Sequence, residues 1–293
     1  MRTAYLLLLL PVMSALSVAG PIVEEGAEVE KLRGGFQFTE GPAFDGDKRV
    51  LFTDIPANRI YAYNHGKDTI SVFREDTGGA NGLMFDQRGR LVMCEGGNRR
   101  VTRLEPDGSV TVLADTWNAN KLNSPNDLVI RENGGIYFTD PRYGDRSSME
   151  MEVEGVYYIS PDGNELERVI DDLVRPNGLM LSRDGSTLYV ADPGDDQTWA
   201  YDVQEDGSLE DKRLFTDSGS DGMTLDHHGN VYLTSGAVLV FNPDGERIAK
   251  IDIPEKPSNL TFGPPGRGTL YITARTGFYR IDTNVHAGRK PVD

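Results

Sequence analysis

Asn126-Asp127-Leu128-Val129-Ile130-Arg131, followed after a polar glycine-containing turn by Gly135-Ile136-Tyr137-Phe138-Thr139-Asp140, is one copy of a unit that recurs six times along the chain. Each copy opens on a small polar or acidic anchor. An apolar residue or proline stands two places on, and another apolar residue four places on. The anchors are Glu40 (EGPAFD), Asn81 (NGLMFD), Asn126 (NDLVIR), Asn177 (NGLMLS), Asp221 (DGMTLD) and Ser258 (SNLTFG), at spacings of 41, 45, 51, 44 and 37 residues. A second run follows each anchor: RVLFTD to Asp54, RLVMCE to Glu95, GIYFTD to Asp140, TLYVAD to Asp192, NVYLTS to Ser235 and TLYITA to Ala274. Alternation, β-branched and aromatic content, and turns such as Asp86-Gln87-Arg88-Gly89 make each pair of runs a β-hairpin.

Working outward, a third strand is expected at 59–64, 100–104, 155–160, 198–203, 237–241 and 277–281, and a fourth follows the first five, as at 69–74 and 110–114. Four antiparallel strands repeated six times define an all-β, six-bladed β-propeller. The sixth unit ends before its fourth strand, and residues 28–33 supply one at the other end of the chain. An N-terminal strand that completes the last blade closes the ring.

The chain has 293 residues, 38% of them apolar and 26% charged, a globular balance. Its net charge of -16 argues against nucleic-acid binding, which needs clustered Lys and Arg, and points to a small neutral or cationic ligand or a metal ion. Residues 1–19 combine Arg2, an apolar run from Tyr5 to Met13 and the small residues Ser17-Val18-Ala19. They read as a signal peptide, which implies an exported protein, periplasmic or secreted, with 20–293 as the propeller domain and no stable membrane insertion after cleavage. Cys94 is the only cysteine and lies in an apolar run, so no intrachain disulfide forms and a buried core thiol is expected.

In a propeller the first strands line the central channel, so the six anchors converge on the axis. Glu40, Asn126, Asn177 and Asp221 together offer two carboxylates and two amides, a hard-oxygen donor set suited to Ca²⁺, Mg²⁺ or Mn²⁺. Asn81 and Ser258 read more simply as strand starts. Asp54, Glu95, Asp140 and Asp192 are expected to form an outer acidic ring at the same face. The four histidines, His65, His227, His228 and His286, all fall in turns or the tail. That placement disfavours both a His-rich zinc site and a Ser-His-Asp triad.

Glu40-Gly41-Pro42, Asn123-Ser124-Pro125-Asn126-Asp127, Tyr137-Phe138-Thr139-Asp140-Pro141, Arg175-Pro176-Asn177-Gly178 and Ser220-Asp221-Gly222-Met223 occur in order. They resemble the gluconolactonase/regucalcin (senescence marker protein) family, most closely its bacterial gluconolactonase-like branch, over nearly the whole chain after the leader. The resemblance implies a divalent-cation-dependent propeller that opens sugar lactones, with Ca²⁺ the first candidate and Mg²⁺, Mn²⁺ or Zn²⁺ as alternatives. It implies Glu40, Asn177 and Asp221 as metal ligands, and Asn126 as a fourth ligand or a group touching both metal and substrate. Where the regucalcin branch has a substrate-contacting arginine two residues before this Asn, the chain has Ser124. That departure argues against a regucalcin-like substrate preference. No counterpart of the catalytic histidines of paraoxonases is present.

The expected reaction is hydrolysis of a sugar lactone. The cation polarises the carbonyl, and Asp221 activates the attacking water or, in a covalent variant, attacks directly. Ser124, Asn126, Arg142, Tyr143 and Arg175 are the candidate substrate contacts. Two other classes stay open: a propeller esterase or phosphotriesterase, and a non-catalytic binding propeller that the metal merely stabilises. Oligomeric state is not legible.

Overall fold

A computed structural model describes residues 21–264 and 268–288, so the leader at 1–19 lies outside the described residues. Six four-stranded antiparallel sheets are present, and the described residues contain no helix. Each sheet is one blade, ordered from its inner strand outward. The inner strands are Thr39–Phe44, Ala80–Phe85, Leu128–Ile130, Leu179–Leu181, Met223–Leu225 and Pro257–Phe262. The second strands end at Asp54, Glu95, Asp140, Asp192, Ser235 and Ala274, as the repeat predicts. A short ribbon pairing Thr116–Trp117 with Asn120–Lys121 lies on the way into blade 3.

The apolar core is not at the centre of the molecule. It is divided into six clusters, one between each pair of neighbouring blades. Alternation explains this: each strand presents side chains to both faces of its blade, and each face packs on the next blade. The axis itself is left to polar groups. Cys94, fully buried at the blade 2–3 boundary, is a core thiol as expected, and burial pushes its pKa well up.

Ring closure uses both ends of the chain. The outer strand of blade 6 is Glu30–Gly34, which pairs antiparallel with Gly277–Asp282. It starts two residues later than the expected 28–33 and runs one residue further, since pairing with the third strand begins at Glu30↔Arg280 and ends at Gly34↔Gly277. Glu255 ties this closure together. Its carboxylate accepts from Lys31 Nζ (2.7 Å), Tyr279 Oη (2.5 Å), and Thr276 N and Oγ1 (both 2.8 Å). Phe52 of blade 1 stacks on Phe278 of blade 6 at 4.3 Å, and Ser258 Oγ donates to Thr39 O at 2.7 Å, which joins the last blade to the first.

Burial alone would raise the Glu255 pKa, but the bonds from Lys31, Tyr279 and Thr276 outweigh it and hold it at about 2. A carboxyl depressed in the folded state stabilises above its unfolded pKa, and that contribution fades as pH falls through the interval down to its folded value. Glu255→Gln should therefore lower Tm by roughly 3–6 °C at pH 7. The gap between variant and wild type should shrink steadily below about pH 4.5. Thermal denaturation of both proteins across pH 7 to 3 checks this; a gap independent of pH would contradict it.

Candidate active site

Every inner strand is bulged where it reaches the axis. In blade 3, Asn126 N donates to Thr139 O (2.9 Å) and Thr139 N donates back to Asp127 O (3.0 Å), so two residues oppose one. Asn177 and Gly178 oppose Ala191 in the same way, and Asp221 and Gly222 oppose Thr234. The pairing of blades 1, 2 and 6 shifts register at the equivalent place. For this reason the regular strands of blades 3, 4 and 5 begin two residues after their anchors instead of at them. A bulge re-aims side chains and leaves a backbone N–H in need of a partner. Threonine hydroxyls supply it: Thr139 Oγ1 accepts from Asp127 N, Thr234 Oγ1 from Gly222 N, and Thr273 Oγ1 from Asn259 N, at 2.8–3.1 Å.

Of the four residues expected to bind a metal, Glu40, Asn177 and Asp221 come together at the axis, and Asn126 heads the inner strand of blade 3 at the equivalent bulged position. Two further groups join them. In four blades the residue after the anchor is glycine, whereas blades 3 and 6, opposite each other, carry Asp127 and Asn259. Both are buried, and Asn259 Nδ2 lies 3.4 Å from Asp127 Oδ2. The glycines make room for them: a Cβ on Gly82 would lie 2.6 Å from Asp127 Oδ1, and one on Gly222 would collide with the Asn259 carboxamide.

Three carboxylates, Glu40, Asp127 and Asp221, thus lie close enough to repel one another. Burial, then repulsion from Asp221, push the Glu40 pKa well above the ordinary carboxylate range, against the N–H of Gly41 and the amide of Asn259. Burial raises Asp127 to about 7, against the Leu128 N–H and the Asn259 amide. Asp221 is raised by burial and eased by Asn177, Lys256 and Arg275. Neither Glu40 nor Asp221 has an ion-pair partner among the described residues.

The amides complete the donor set. Asn177 Nδ2 donates to Asp221 Oδ1 and to Tyr143 Oη, both at 2.8 Å, so both amide protons are used and the carbonyl oxygen is the part of the group left to accept a ligand. Among the described residues no group of three or more His, Cys, Asp or Glu side chains is arranged to hold a metal. A cation here would depend on the amide oxygens of Asn126 and Asn177 as much as on Glu40 and Asp221. Two carboxylates that repel each other, flanked by two neutral oxygen donors, fit a hard divalent ion.

The outer acidic ring is of a different kind. Asp54 accepts from Gln37 N and Phe38 N, Asp140 from Asn123 N and Ser124 N, and Asp192 from Val174 N and Arg175 N, at 2.7–3.2 Å. Each carboxylate clamps the backbone leading to its own inner strand. Glu95 instead binds Thr102 Oγ1, Asn98 Nδ2 and Arg100 Nε. These groups shape the site without facing the channel.

The remaining expected contacts divide. Tyr143 and Arg175 lie together at the mouth, the guanidinium 5.3 Å from the ring centroid. Arg142 spends its guanidinium on Asp145 O, Asn123 O and Ser148 Oγ, and Ser124 Oγ donates to Gly96 O at 3.2 Å. Both hold the loops around the site. Besides Asp127 and Asn259, sequence reasoning passed over Lys256, Arg275 and the buried Glu154.

An all-β propeller whose inner strands bring carboxylates and amides to a polar axis defines a class of small-molecule propeller enzymes. Residues 38–276 match the SMP-30/Gluconolactonase/LRE-like region, and the chain belongs to that family. It is 32% identical to a gluconolactonase of Zymomonas mobilis, over 89% of this chain and 83% of that one. It is 30% identical to the lactonase drp35 of Staphylococcus saprophyticus, over 80% of this chain and 75% of that one. A solved gluconolactonase of Xanthomonas campestris superposes with a TM-score of 0.83 at 32% identity, covering 90% of this chain and 91% of that one. The calcium-binding regucalcin of Agrobacterium tumefaciens shares the fold, with a TM-score of 0.75 at 18% identity over 94% of this chain and 97% of that one.

Because the Asn259 carboxamide fills the space that Gly222 leaves, Gly222→Ala should destabilise by about 1–3 kcal/mol. Adding Asn259→Ala should give less than the sum of the two single losses. Gly66→Ala, whose added carbon meets nothing closer than Asn64 Oδ1 at 3.6 Å, should be close to neutral. Urea denaturation of the four variants decides; strict additivity would show that the two positions do not share this space.

Proposed function

We propose that the chain is a lactonase opening a sugar lactone, with one divalent cation, Ca²⁺ first, held by Glu40, Asn126, Asn177 and Asp221. The observation that carries this reading is the pair of carboxylates at the axis with no ion-pair partner among the described residues, beside the Asn177 amide, in a chain whose relatives include a gluconolactonase and a lactonase. A cation bound there supplies Lewis acidity toward the lactone carbonyl.

The residues do the rest. Asn177 fixes one oxygen of Asp221 with its Nδ2, and the other oxygen is left to orient a water and take its proton. Next to a cation that carboxylate is a weak base, so orientation is its larger contribution. Direct attack by the same oxygen is the covalent variant. Tyr143 and Arg175 border the mouth where sugar hydroxyls would lie. The leader-like residues 1–19 support an exported, periplasmic or secreted, enzyme.

Acid release from glucono-1,5-lactone, corrected for spontaneous opening, should stop with chelator and return when one of Ca²⁺, Mg²⁺, Mn²⁺ or Zn²⁺ is restored. Asp221→Asn keeps the shape and one oxygen while removing the charge. It should lose about 10²–10⁴-fold in kcat with the propeller still folded. A metal-loaded, folded wild type that opens no lactone but hydrolyses a phosphotriester would overturn the lactonase reading. A fully active Asp221→Asn would overturn the role given to that residue.

A further inference from the structure

The six blades differ most at one connection. Between second and third strands, blades 1, 2 and 4 turn in residues 55–58, 96–99 and 193–196, and blade 5 turns on Gly236 alone, whereas blade 3 takes residues 141–154. This is the 51-residue spacing seen in the sequence. A long surface connection of that kind is ordinarily loosely held, but this one is tied down along its length. Asn123 Nδ2 donates to Asp140 O and Val153 O, both at 3.1 Å, so one amide clasps both ends. Arg99 reaches across from blade 2 to Ser148 O and Glu150 Oε1 at 3.2 Å.

Glu154, only 4% exposed, is the buried knot of the loop. Its carboxylate accepts from Arg142 N at 3.0 Å, from Arg146 Nη1, and from Arg175 Nε at 3.3 Å across the gap to blade 4. Arg175 then lies over the Tyr143 ring, and the Tyr143 hydroxyl takes the Asn177 amide proton. The ring is 46% exposed, yet its hydroxyl is turned inward to the donor set. As an acceptor from Asn177, that hydroxyl still has its own proton to donate. A rigid phenol with one free O–H, backed by a guanidinium, offers a flat apolar face and a single directed donor.

We propose that residues 141–154 form a fixed specificity wall, in which Tyr143 contacts the ring and a hydroxyl of the bound lactone while Glu154 positions Tyr143 through Arg175. The inference rests on the lactonase reading above and adds what selects the substrate: a polyhydroxylated six-membered lactone over the same ring without hydroxyls. Tyr143 is the specificity determinant. Glu154 is a positioning residue, since it touches neither substrate nor the oxygen-donor set.

The test compares glucono-1,5-lactone with δ-valerolactone on the metal-supplemented full chain. Tyr143→Phe should raise KM for glucono-1,5-lactone about three- to tenfold more than it raises KM for δ-valerolactone, and any loss common to both lactones reports the removed Asn177 contact. Binding of glucono-1,5-lactam, read by calorimetry, should weaken by a similar factor. Glu154→Ala should produce the same split, and Glu154→Gln, which keeps an acceptor for Arg142 N–H, should recover part of it. If Glu154→Ala does not fold, Glu154→Gln and Tyr143→Phe carry the test. Equal losses on both lactones, or no change on either, would overturn the wall. A wild type that opens neither lactone would instead overturn the lactonase reading itself, and the wall with it.

Discussion

Two carboxylates, the buried Glu40 and the partly buried Asp221, face a common axis without a cationic side chain paired to either among the described residues. In a low-dielectric space such a pair is costly, and burial compounds the repulsion. Much of the surrounding structure answers that cost. Gly41 N and the Asn259 amide serve Glu40, Asn177 Nδ2 serves Asp221, and Lys256 and Arg275 lend positive potential from blade 6. None of these removes the charge. The fold tolerates the pair because its apolar core lies between blades, so the axis is free to be polar. A site that retains uncompensated like charges is poised for a positive ligand, and this constraint ties the propeller to its chemistry.

Carboxylates recur at the second-strand ends of blades 1 to 4 and at the anchors of blades 1 and 5, but the partner decides what each one does. Asp54 and Asp140 each take two backbone N–H groups and Asp192 takes three, and all are structural clamps. Burial pushes Asp140 up to about 7 despite its two N–H donors. A raised pKa alone therefore does not mark a catalytic carboxyl. Glu154 is a third kind, a buried anion matched to arginines on two loops. The axis groups stand apart because Glu40 and Asp221 repel each other across the axis with few hydrogen-bond donors to offset it.

The propeller was legible because its repeat is written in positions the fold constrains: the anchor at the axis, the two apolar places after it in the core, and the run closing on Asp or its equivalent. The convergence of Glu40, Asn177 and Asp221 was legible for the same reason, since it follows once the anchors are known to line a channel. Asp127 and Asn259 were not, because a strand-period reading gives the residue after the anchor to the opposite face. The bulge cancels that alternation locally, and a bulge has no hydrophobic signature. The visible trace was compositional: glycine at this position in four blades, a side chain in the other two. The clamping role of the outer acids was hidden because a carboxylate at a strand end reads alike whether it meets a ligand or an orphan N–H.

Sixfold repetition by itself produces a channel ringed by equivalent groups, and equivalent groups cannot discriminate among substrates. Chemistry enters where the repeat is broken. Glutamate replaces the amide in blade 1, aspartate replaces it in blade 5, and Asp127 and Asn259 intrude from opposite blades. The longest break, at 141–154, lies on the same face and spans from blade 2 at Arg99 to blade 4 at Arg175. It is anchored by side chains instead of by strand pairing, so it can differ between relatives without disturbing the ring. The repeated part of the sequence thus sets where a ligand is held, and the irregular part sets which ligand is accepted.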